Sequence, residues 1–132
     1  MKPLLFDTTV WVDYLHGIVT KESNLLNKYI ESDYELFLCP IIIQEVLQGI
    51  RNDKDYVSVK SIFSHMNLLV IDSFEASIGA AELYRQVRKK GVTIRKSNDC
   101  LIAFYAIYYN LALINNDKYF DAIAKRTPLK VN

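Results

Sequence analysis

The chain has 132 residues, of which 51% are hydrophobic and 23% charged, which suits one globular domain over 1–132 and excludes a disordered chain. Its net charge of +1 excludes a uniformly basic nucleic-acid-binding protein, so any such binding must come from local clusters of cations. No apolar run reaches the roughly 18 residues of a membrane span, and Asp7 interrupts the first run too early for a signal peptide, so we expect a cytoplasmic protein.

Short apolar runs alternate with longer amphipathic segments along the chain. The short runs predict buried strands, and the longer periodic segments predict helices. In chain order we predict strand 3–6, helix 8–15, helix 23–31, strand 35–39, helix 41–50, helix 55–65, strand 68–71, helix 73–90, helix 98–109, strand 111–114, helix 118–124 and a short strand 129–131. Strands that alternate with helices imply right-handed crossovers and a parallel sheet covered on both faces. The predicted fold class is therefore α/β, a three-layer α/β/α sandwich with a central, mainly parallel sheet of four to five strands.

Four acidic residues lie at or near junctions between predicted strands and helices. Asp7 directly follows the first strand, and Asp117 follows the fourth. Glu45 lies about a turn into the helix after the second strand, and Asp99 opens the helix at 98–109. Because such junctions share one edge of a parallel sheet, the four carboxylates can converge there. A single Asp at a helix start is usually only a cap, so the prediction depends on their joint placement.

Converging carboxylates indicate a site for a divalent cation. Neighbouring carboxylates raise one another's pKa and destabilise a fold unless a counter-charge is present. Mg²⁺ and Mn²⁺ prefer carboxylate and water oxygens as ligands. A bound divalent ion activates water near neutral pH, orients a scissile phosphate and offsets charge on the leaving oxygen. Such a site needs no histidine and no serine nucleophile, which suits hydrolysis of a phosphodiester.

Four segments of the chain together resemble a known protein family. They are LLFDTTVWVDYL (4–15), QEVLQGIRND (44–53), KGVTIRKSNDCLIA (90–103) and LINNDKYFDAIA (113–124). In this order and at this spacing they resemble the PIN domain, and within it the VapC toxins of toxin–antitoxin pairs. The resemblance runs over nearly the whole chain and implies a single PIN domain over 1–132.

The resemblance also implies functions for individual residues. Four positions would carry catalysis and bind metal, namely Asp7, Glu45, Asp99 and Asp117, and Thr9 would be a hydrogen-bonding partner of the first of them. The implied activity is that of a Mg²⁺- or Mn²⁺-dependent endoribonuclease, which cleaves structured cellular RNA such as tRNA or rRNA by metal-activated water. The family further implies a homodimer and the small antitoxin of a type II pair, which covers the site, commonly with an Arg or Lys among the acids.

The fourth segment departs from the family pattern at two positions. Relatives of this subtype often carry His where Asn115 stands, and an additional Asp where Tyr119 stands. The role of Asp117 is therefore less firmly implied than that of Asp7. Asp121 lies close enough in sequence to contribute, although a surface position is the simpler interpretation.

A basic stretch leads into the Asp99 helix. Its cations include Arg88, Lys89, Lys90, Arg95 and Lys96, with no acid among them. Cations beside an acidic metal site could attract the phosphate backbone of RNA. The alternative is that they complement the C-terminus of the preceding helix and solvate a surface.

Two other classes of function fit parts of the sequence. A receiver-type signalling module also binds Mg²⁺ with acids at strand ends, and Asp72 after the third apolar run could be its phosphoacceptor. Receivers usually need paired acids after the first strand, however, where this chain has Asp7 and Thr8, and a helix cap explains Asp72 more simply. A PIN-like protein that binds RNA or a partner without cutting is the other alternative, because of Asn115 and Tyr119.

Several remaining residues favour ordinary structural roles. His16 and His65 could form the acid–base pair of a metal-free ribonuclease, but each lies at the end of a helical pattern. Cys39 and Cys100 belong to no CxxC or Cys/His array, so we expect buried thiols rather than zinc ligands. Asp13 lies more than a helical turn beyond the first acid, and we expect it at the surface.

Overall fold

The computed structural model describes residues 2–131 and forms a parallel sheet flanked by helices. Its strands are β1 (Leu4–Phe6), β2 (Phe37–Leu38), β3 (Asn67–Leu68) and β4 (Ala112–Ile114). Its helices are α1 (Thr8–Leu15), α2 (Lys21–Glu31), α3 (Pro40–Gln48), α4 (Asp53–Phe63), α5 (Ser73–Lys89), α6 (Ser97–Tyr108) and α7 (Lys118–Ala124). The predicted α/β/α sandwich is confirmed. Within residues 2–131, no helix combines the length and the apolar composition that crossing a membrane requires.

The order of the strands determines where the fold can offer a site. The sheet runs β3-β2-β1-β4, and all neighbouring strands are parallel. The chain builds outward from β1 through β2 to β3, and then returns to the other side of β1 as β4, where Leu5 pairs with Leu113. The strand order therefore reverses between β1 and β4. In open parallel sheets, ligands bind beyond the carboxyl ends of the strands at such a reversal.

The edge of the sheet at β3 is shorter than predicted. Strand 68–71 was expected, but only Asn67 and Leu68 form the strand. Just beyond it, the Val70 N–H donates to the hydroxyl oxygen of Tyr109 (3.1 Å), and that hydroxyl donates to the Val70 carbonyl. On the β2 side, the Leu69 N–H still donates to the Leu38 carbonyl (2.8 Å), but the next donor along that strand would be Pro40, which has no N–H, so the ladder ends there. The inner strand β2 is likewise reduced from 35–39 to two residues.

The last predicted strand, 129–131, is present only as a contact beside β4. Val131 forms an isolated parallel bridge with Leu113, and the Leu113 N–H donates to the Lys130 carbonyl (2.9 Å). The chain end thus pairs with the outer side of β4, while β1 occupies its inner side.

Side-chain caps determine where two helices begin. The Ser23 N–H donates to Thr20 Oγ1 (2.9 Å), and the Thr20 N–H donates to Ser23 Oγ (2.8 Å). This reciprocal capping box begins α2 at Lys21, two residues before the predicted start. At α5, Asp72 accepts a hydrogen bond from the Glu75 N–H (3.2 Å), so the interpretation of Asp72 as a helix cap is confirmed.

The core surrounds β1, all three of whose residues are buried. Trp11 of α1 packs edge-on against Phe63 with 5.1 Å between the ring centroids, and Phe6 makes a similar contact with Tyr29 at 5.5 Å. Such aromatic pairs each contribute about 0.5–1.5 kcal/mol beyond the burial of their area. The strand that ends at Asp7 and the helix that begins after it are therefore firmly held.

Helices α5 and α6 approach each other closely at Gly79. A Cβ atom built on Gly79 would lie 2.3 Å from the ring of Phe104, far inside van der Waals contact. The absence of a side chain at this position is therefore what allows the two helices to pack at this separation.

We expect Gly79→Ala to lower the free energy of unfolding by about 1–2 kcal/mol, because overpacking at Phe104 outweighs the gain of about 1 kcal/mol in helix propensity. Urea denaturation measures the change. Adding Phe104→Leu to the alanine variant should recover part of the loss, since it removes the clashing ring atoms. An increase in stability for the single variant would contradict the proposed clash.

Candidate metal centre and active site

Asp7 lies at the carboxyl end of β1 and caps α1. Its backbone N–H donates to the Ile114 carbonyl of β4 (2.9 Å), which fixes it at the reversal of strand order. The side chain is buried, and its Oδ2 accepts hydrogen bonds from the Thr9 hydroxyl (2.7 Å) and the Thr9 N–H (3.3 Å). Burial raises the pKa of Asp7, the bonds from Thr9 oppose that rise, and the charge of Glu45 adds to it. The expected contact between Thr9 and Asp7 is present.

Glu45 is half-buried on α3 and is bound through both carboxylate oxygens. The Thr8 hydroxyl donates to Oε1 (2.7 Å), and the Asn98 side-chain amide donates to Oε2 (3.4 Å). Thr8 follows Asp7 in the chain, and Asn98 precedes Asp99. Neutral donors thus connect Glu45 to the neighbours of two other acids, which places the three carboxylates at one end of the sheet.

Asp99 lies in the first turn of α6 and is only 5% exposed. Its buried Oδ2 makes no hydrogen bond among the described residues. Burial, and then the negative charges of three other residues, raise the pKa of Asp99 to about 7, while the cation of Lys96 opposes the rise. Those three residues are Asp117, Asp7 and Glu45. The structure therefore brings all four predicted acids within electrostatic reach of one another.

Asp117 caps α7, directly after the turn that leaves β4. Its Oδ1 accepts a hydrogen bond from the Tyr119 N–H (2.9 Å), and its own N–H donates to Asn115 Oδ1 (3.0 Å). The side chain of Asn115 therefore stabilises this turn. That turn holds Asp117 beyond the carboxyl end of β4.

The chemistry of these residues fits a hard divalent cation. Carboxylate oxygens are preferred ligands of Mg²⁺ and Mn²⁺. No group in the described part of the chain donates to the buried Oδ2 of Asp99, and a cation could take that place. Within residues 2–131, however, no three side chains of Asp, Glu, His or Cys are already arranged to hold one ion. Binding of one ion by three of these carboxylates therefore needs a change in their present arrangement.

The sequence did not reveal four polar residues that hold the acids in place. Thr8 and Asn98 bind Glu45, as described above. Asn116 donates its backbone N–H to Thr9 Oγ1 (3.3 Å) and its side-chain amide to Asp13 Oδ2 (2.6 Å). Asp13 was expected at the surface; it is partly exposed there and has in Asn116 a partner that the sequence did not indicate. The available signal was its spacing, since a residue four positions after Thr9 shares that residue's face of α1.

Two of the five predicted RNA-binding cations lie beside the acids. Lys96 precedes α6, and its charge acts on Asp99. The guanidinium of Arg95 lies over the ring of Tyr119, 5.7 Å from its centroid. Because Tyr119 follows Asp117 by two residues, this cation–π pair borders the acidic site.

The other three cations are at the end of α5 and have different contacts. Arg88 lies over the ring of Tyr84, 5.6 Å from the centroid, and Lys90 donates to the Arg126 carbonyl (3.3 Å) beyond α7. Lys89 is exposed. Arg88 and Lys89 are in the last turn of α5, where cations complement the helix dipole. The basic stretch therefore has two parts: Arg95 and Lys96 lie near the acids, whereas the cations at 88–90 lie at the end of α5.

The remaining candidates occupy ordinary positions. His16 and His65 are both exposed, and within residues 2–131 no hydrogen bond joins them. Cys39 and Cys100 are buried, and burial raises the pKa of the first thiol to about 12 and of the second to about 11, which confirms them as buried thiols. Asp121 is exposed in the first turn of α7.

The sequence places the chain in a known family. The sequence pattern of the PIN domain matches residues 4–126. Two relatives, "VapC ribonuclease Mb1587" of Mycobacterium bovis and "Ribonuclease VapC11" of Mycobacterium tuberculosis, are each 30% identical over 128 residues, which is 96% of this chain and 96% of each relative. The chain therefore belongs to the PIN domain family, and within it to the VapC group.

Solved structures share the fold over nearly the whole chain. The crystal structure of VapBC2 from Rickettsia felis, bound to a DNA fragment from its promoter, matches with a TM-score of 0.75 at 19% identity, covering 99% of this chain and 98% of that one. VapBC-1 from nontypeable Haemophilus influenzae matches with a TM-score of 0.74 at 16% identity, covering 99% and 97%. At these identities the likeness shows the fold alone.

The raised pKa of Asp99 predicts how stability depends on pH in the metal-free protein. Between the ordinary pKa near 4 and the folded value of about 7, the folded state holds a proton that the unfolded state has lost. The free energy of unfolding should therefore fall as pH rises through this range, on the order of 1 kcal/mol from pH 5.5 to 8 after solvent screening. Urea denaturation in chelator measures the slope.

The variant Asp99→Asn should flatten this part of the profile, because its amide does not titrate. The exposed Asp33→Asn is the matched control and should keep the parent slope. A slope that is the same in Asp99→Asn and in the parent would show that another group is responsible.

Proposed function

We propose that the chain is a Mg²⁺- or Mn²⁺-dependent endoribonuclease, the toxin of a type II toxin–antitoxin pair, which cleaves structured cellular RNA such as tRNA or rRNA. The observation that carries the proposal is the meeting of Asp99 with three other acids where the strand order reverses, together with its buried Oδ2, which no group within residues 2–131 hydrogen-bonds. Anions gathered in this way are unfavourable unless a cation joins them. The 30% identity to the Mycobacterium ribonucleases supports the same activity.

The residues that would hold the cation are Asp7, Glu45, Asp99 and Asp117. When bound, the cation supplies a nucleophile from water near neutral pH and offsets negative charge on the scissile phosphate. The chain's own groups prepare the ligands. Thr9 fixes Oδ2 of Asp7, and Thr8 fixes Oε1 of Glu45. Asp99, with a pKa of about 7, gives up its proton with little cost at neutral pH when a cation competes for its oxygens.

RNA would approach the acids across the cations that border them. Lys96 beside Asp99 can bind a phosphate, and Arg95 with Tyr119 offers a guanidinium and an aromatic face for an unpaired base. Unpaired bases occur in the loops of folded RNAs. This arrangement supports a structured RNA as the substrate.

Protein partners belong to the proposal as well. The R. felis and H. influenzae structures are VapBC assemblies, which supports a small antitoxin for this chain. Exposed apolar side chains at Val70, Phe74 and Tyr108 suit contact with another protein, and we propose a homodimer in addition. We expect the protein to act in the cytoplasm, where its RNA substrates are found.

The purified chain should cleave folded RNA only with Mg²⁺ or Mn²⁺ and should leave 5′-phosphate and 3′-hydroxyl ends, because attack by water does not use the 2′-hydroxyl. Asp7→Asn should keep the fold, since Asn also caps helices, and should lower kcat by more than the roughly hundredfold that loss of an outer-sphere partner costs. Product ends can be identified by phosphatase treatment and gel mobility.

The exposed Asp33→Asn serves as the control and should cleave like the parent. Cyclic-phosphate products formed in the presence of chelator would rule out the mechanism. Binding of labelled RNA without products under any ion would instead favour a PIN-like protein that binds without cutting.

The division of the basic stretch predicts unequal effects on RNA binding. Lys96→Ala and Arg95→Ala should each weaken RNA affinity and reduce the slope of log affinity against log salt by roughly one, as loss of a phosphate contact does. The pair Arg88→Ala and Lys89→Ala should have less effect. Filter binding with chelator measures affinity without cleavage, and Lys54→Ala provides a control for the loss of an exposed charge. Equal effects for all the variants would indicate general attraction rather than a defined RNA path.

A further inference from the structure

The turn between β4 and α7 is joined to α1 by hydrogen bonds that end on Asp7. The Asn116 N–H donates to Thr9 Oγ1 (3.3 Å), and the Thr9 hydroxyl donates to Asp7 Oδ2 (2.7 Å). The Asn116 side-chain amide donates to Asp13 Oδ2 (2.6 Å). These four residues are called the α1–turn clamp here: Asp7, Thr9, Asp13 and Asn116.

The donors of the clamp fix the direction of its bonds. A backbone N–H can only donate, so Thr9 Oγ1 accepts from Asn116 and its own proton is directed to Asp7. The hydroxyl proton is therefore committed to Oδ2 of Asp7 for as long as Asn116 stays in place. Loss of the Asn116 contact would remove one of the two hydrogen bonds that orient this hydroxyl.

Without its bond to Asn116, the carboxylate of Asp13 would be in an electrostatically unfavourable position. It lies in the last turn of α1, where a negative charge opposes the helix dipole. Thr9 and Asp13 are four residues apart and share one face of the helix, so both reach the same turn. The short bond from the Asn116 amide to a carboxylate is of the stronger, charge-assisted kind.

The clamp also controls the position of the fourth acid. Asn116 directly precedes Asp117, whose N–H is bound to Asn115 within the same turn. Anchoring Asn116 to α1 thus fixes where Asp117 lies relative to Asp7. The contact between Asn116 and α1 thus positions two acids, Asp7 after β1 and Asp117 after β4.

We propose that Asp13 and Asn116 are positioning residues, which hold the β4–α7 turn against α1 and thereby set the affinity of the acidic site for a divalent cation. The inference rests on the proposed function in taking such a cation as the ligand. Neither residue needs to touch the cation or the RNA.

The test compares Mn²⁺ affinity by calorimetry with the exchange rate of the Asn116 backbone amide in metal-free protein. Asp13→Ala and Asn116→Ala should each weaken Mn²⁺ binding about tenfold, the scale for loss of an outer-sphere partner. The double variant should be no weaker than either single variant, because both changes remove one contact. Asp13→Asn should restore most of the affinity, since its amide oxygen can accept the same bond. In Asp13→Ala the Asn116 amide should exchange faster.

Glu31→Ala is the matched control, because it also removes an acid from the last turn of a helix, at an exposed site. It should leave both readouts unchanged. Parent-like Mn²⁺ affinity in Asp13→Ala, or additive losses in the double variant, would overturn the positioning role. If the parent chain itself bound no Mn²⁺, the proposed function would fail instead. The hydrogen-exchange rate of the Asn116 backbone amide in Asp13→Ala would then test the clamp by itself. A rate equal to that of the parent would refute the clamp.

Discussion

Mutual repulsion among carboxylates governs the end of the sheet where β1 and β4 part. The structure gathers Asp7, Glu45 and Asp117 around Asp99, and the charge of Lys96 opposes their combined effect on the pKa of Asp99. Such an arrangement lowers stability in the absence of a counter-charge, because each buried anion loses hydration and faces others. A fold selected for stability alone would separate these groups. Their convergence is therefore best understood as a binding property that the remainder of the molecule must support.

The support comes from neutral donors and from the packing beneath the site. Hydroxyl and amide groups satisfy carboxylate oxygens without neutralising them, so the negative potential is retained while the side chains are oriented. Beneath them, β1 is buried along its length, and the Asp7 N–H is bound to Ile114 of β4. This combination of a rigid base and a strongly negative rim suits the capture of a small, hard cation, for which ligand positions matter within fractions of an ångström.

The sequence revealed the fold because its signals are local. Apolar runs and helix caps lie within a few residues of one another, and helices such as 8–15 and 118–124 were predicted to the residue. The meeting of the acids could be predicted because a parallel topology places the ends of the strands together. The bond between Asp13 and Asn116 could not be predicted, because it joins residues 103 positions apart and depends on the shape of one turn. The contact between Tyr109 and Val70 escaped prediction for the same reason, because these residues meet only in the folded chain.

Under the proposed function, the negative charge of these carboxylates would serve both activity and its control. A rim that attracts a divalent cation attracts equally the guanidinium or ammonium of another protein, and both would compete for the oxygens of Asp7 and Asp99. An antitoxin that inserts an Arg or Lys would then supply the missing counter-charge and relieve the repulsion that otherwise draws in the metal ion. Inhibition and activation would be alternative ways of neutralising one cluster. Under the proposed function, the residues that make the apo site unfavourable would also be those that bind the inhibitor.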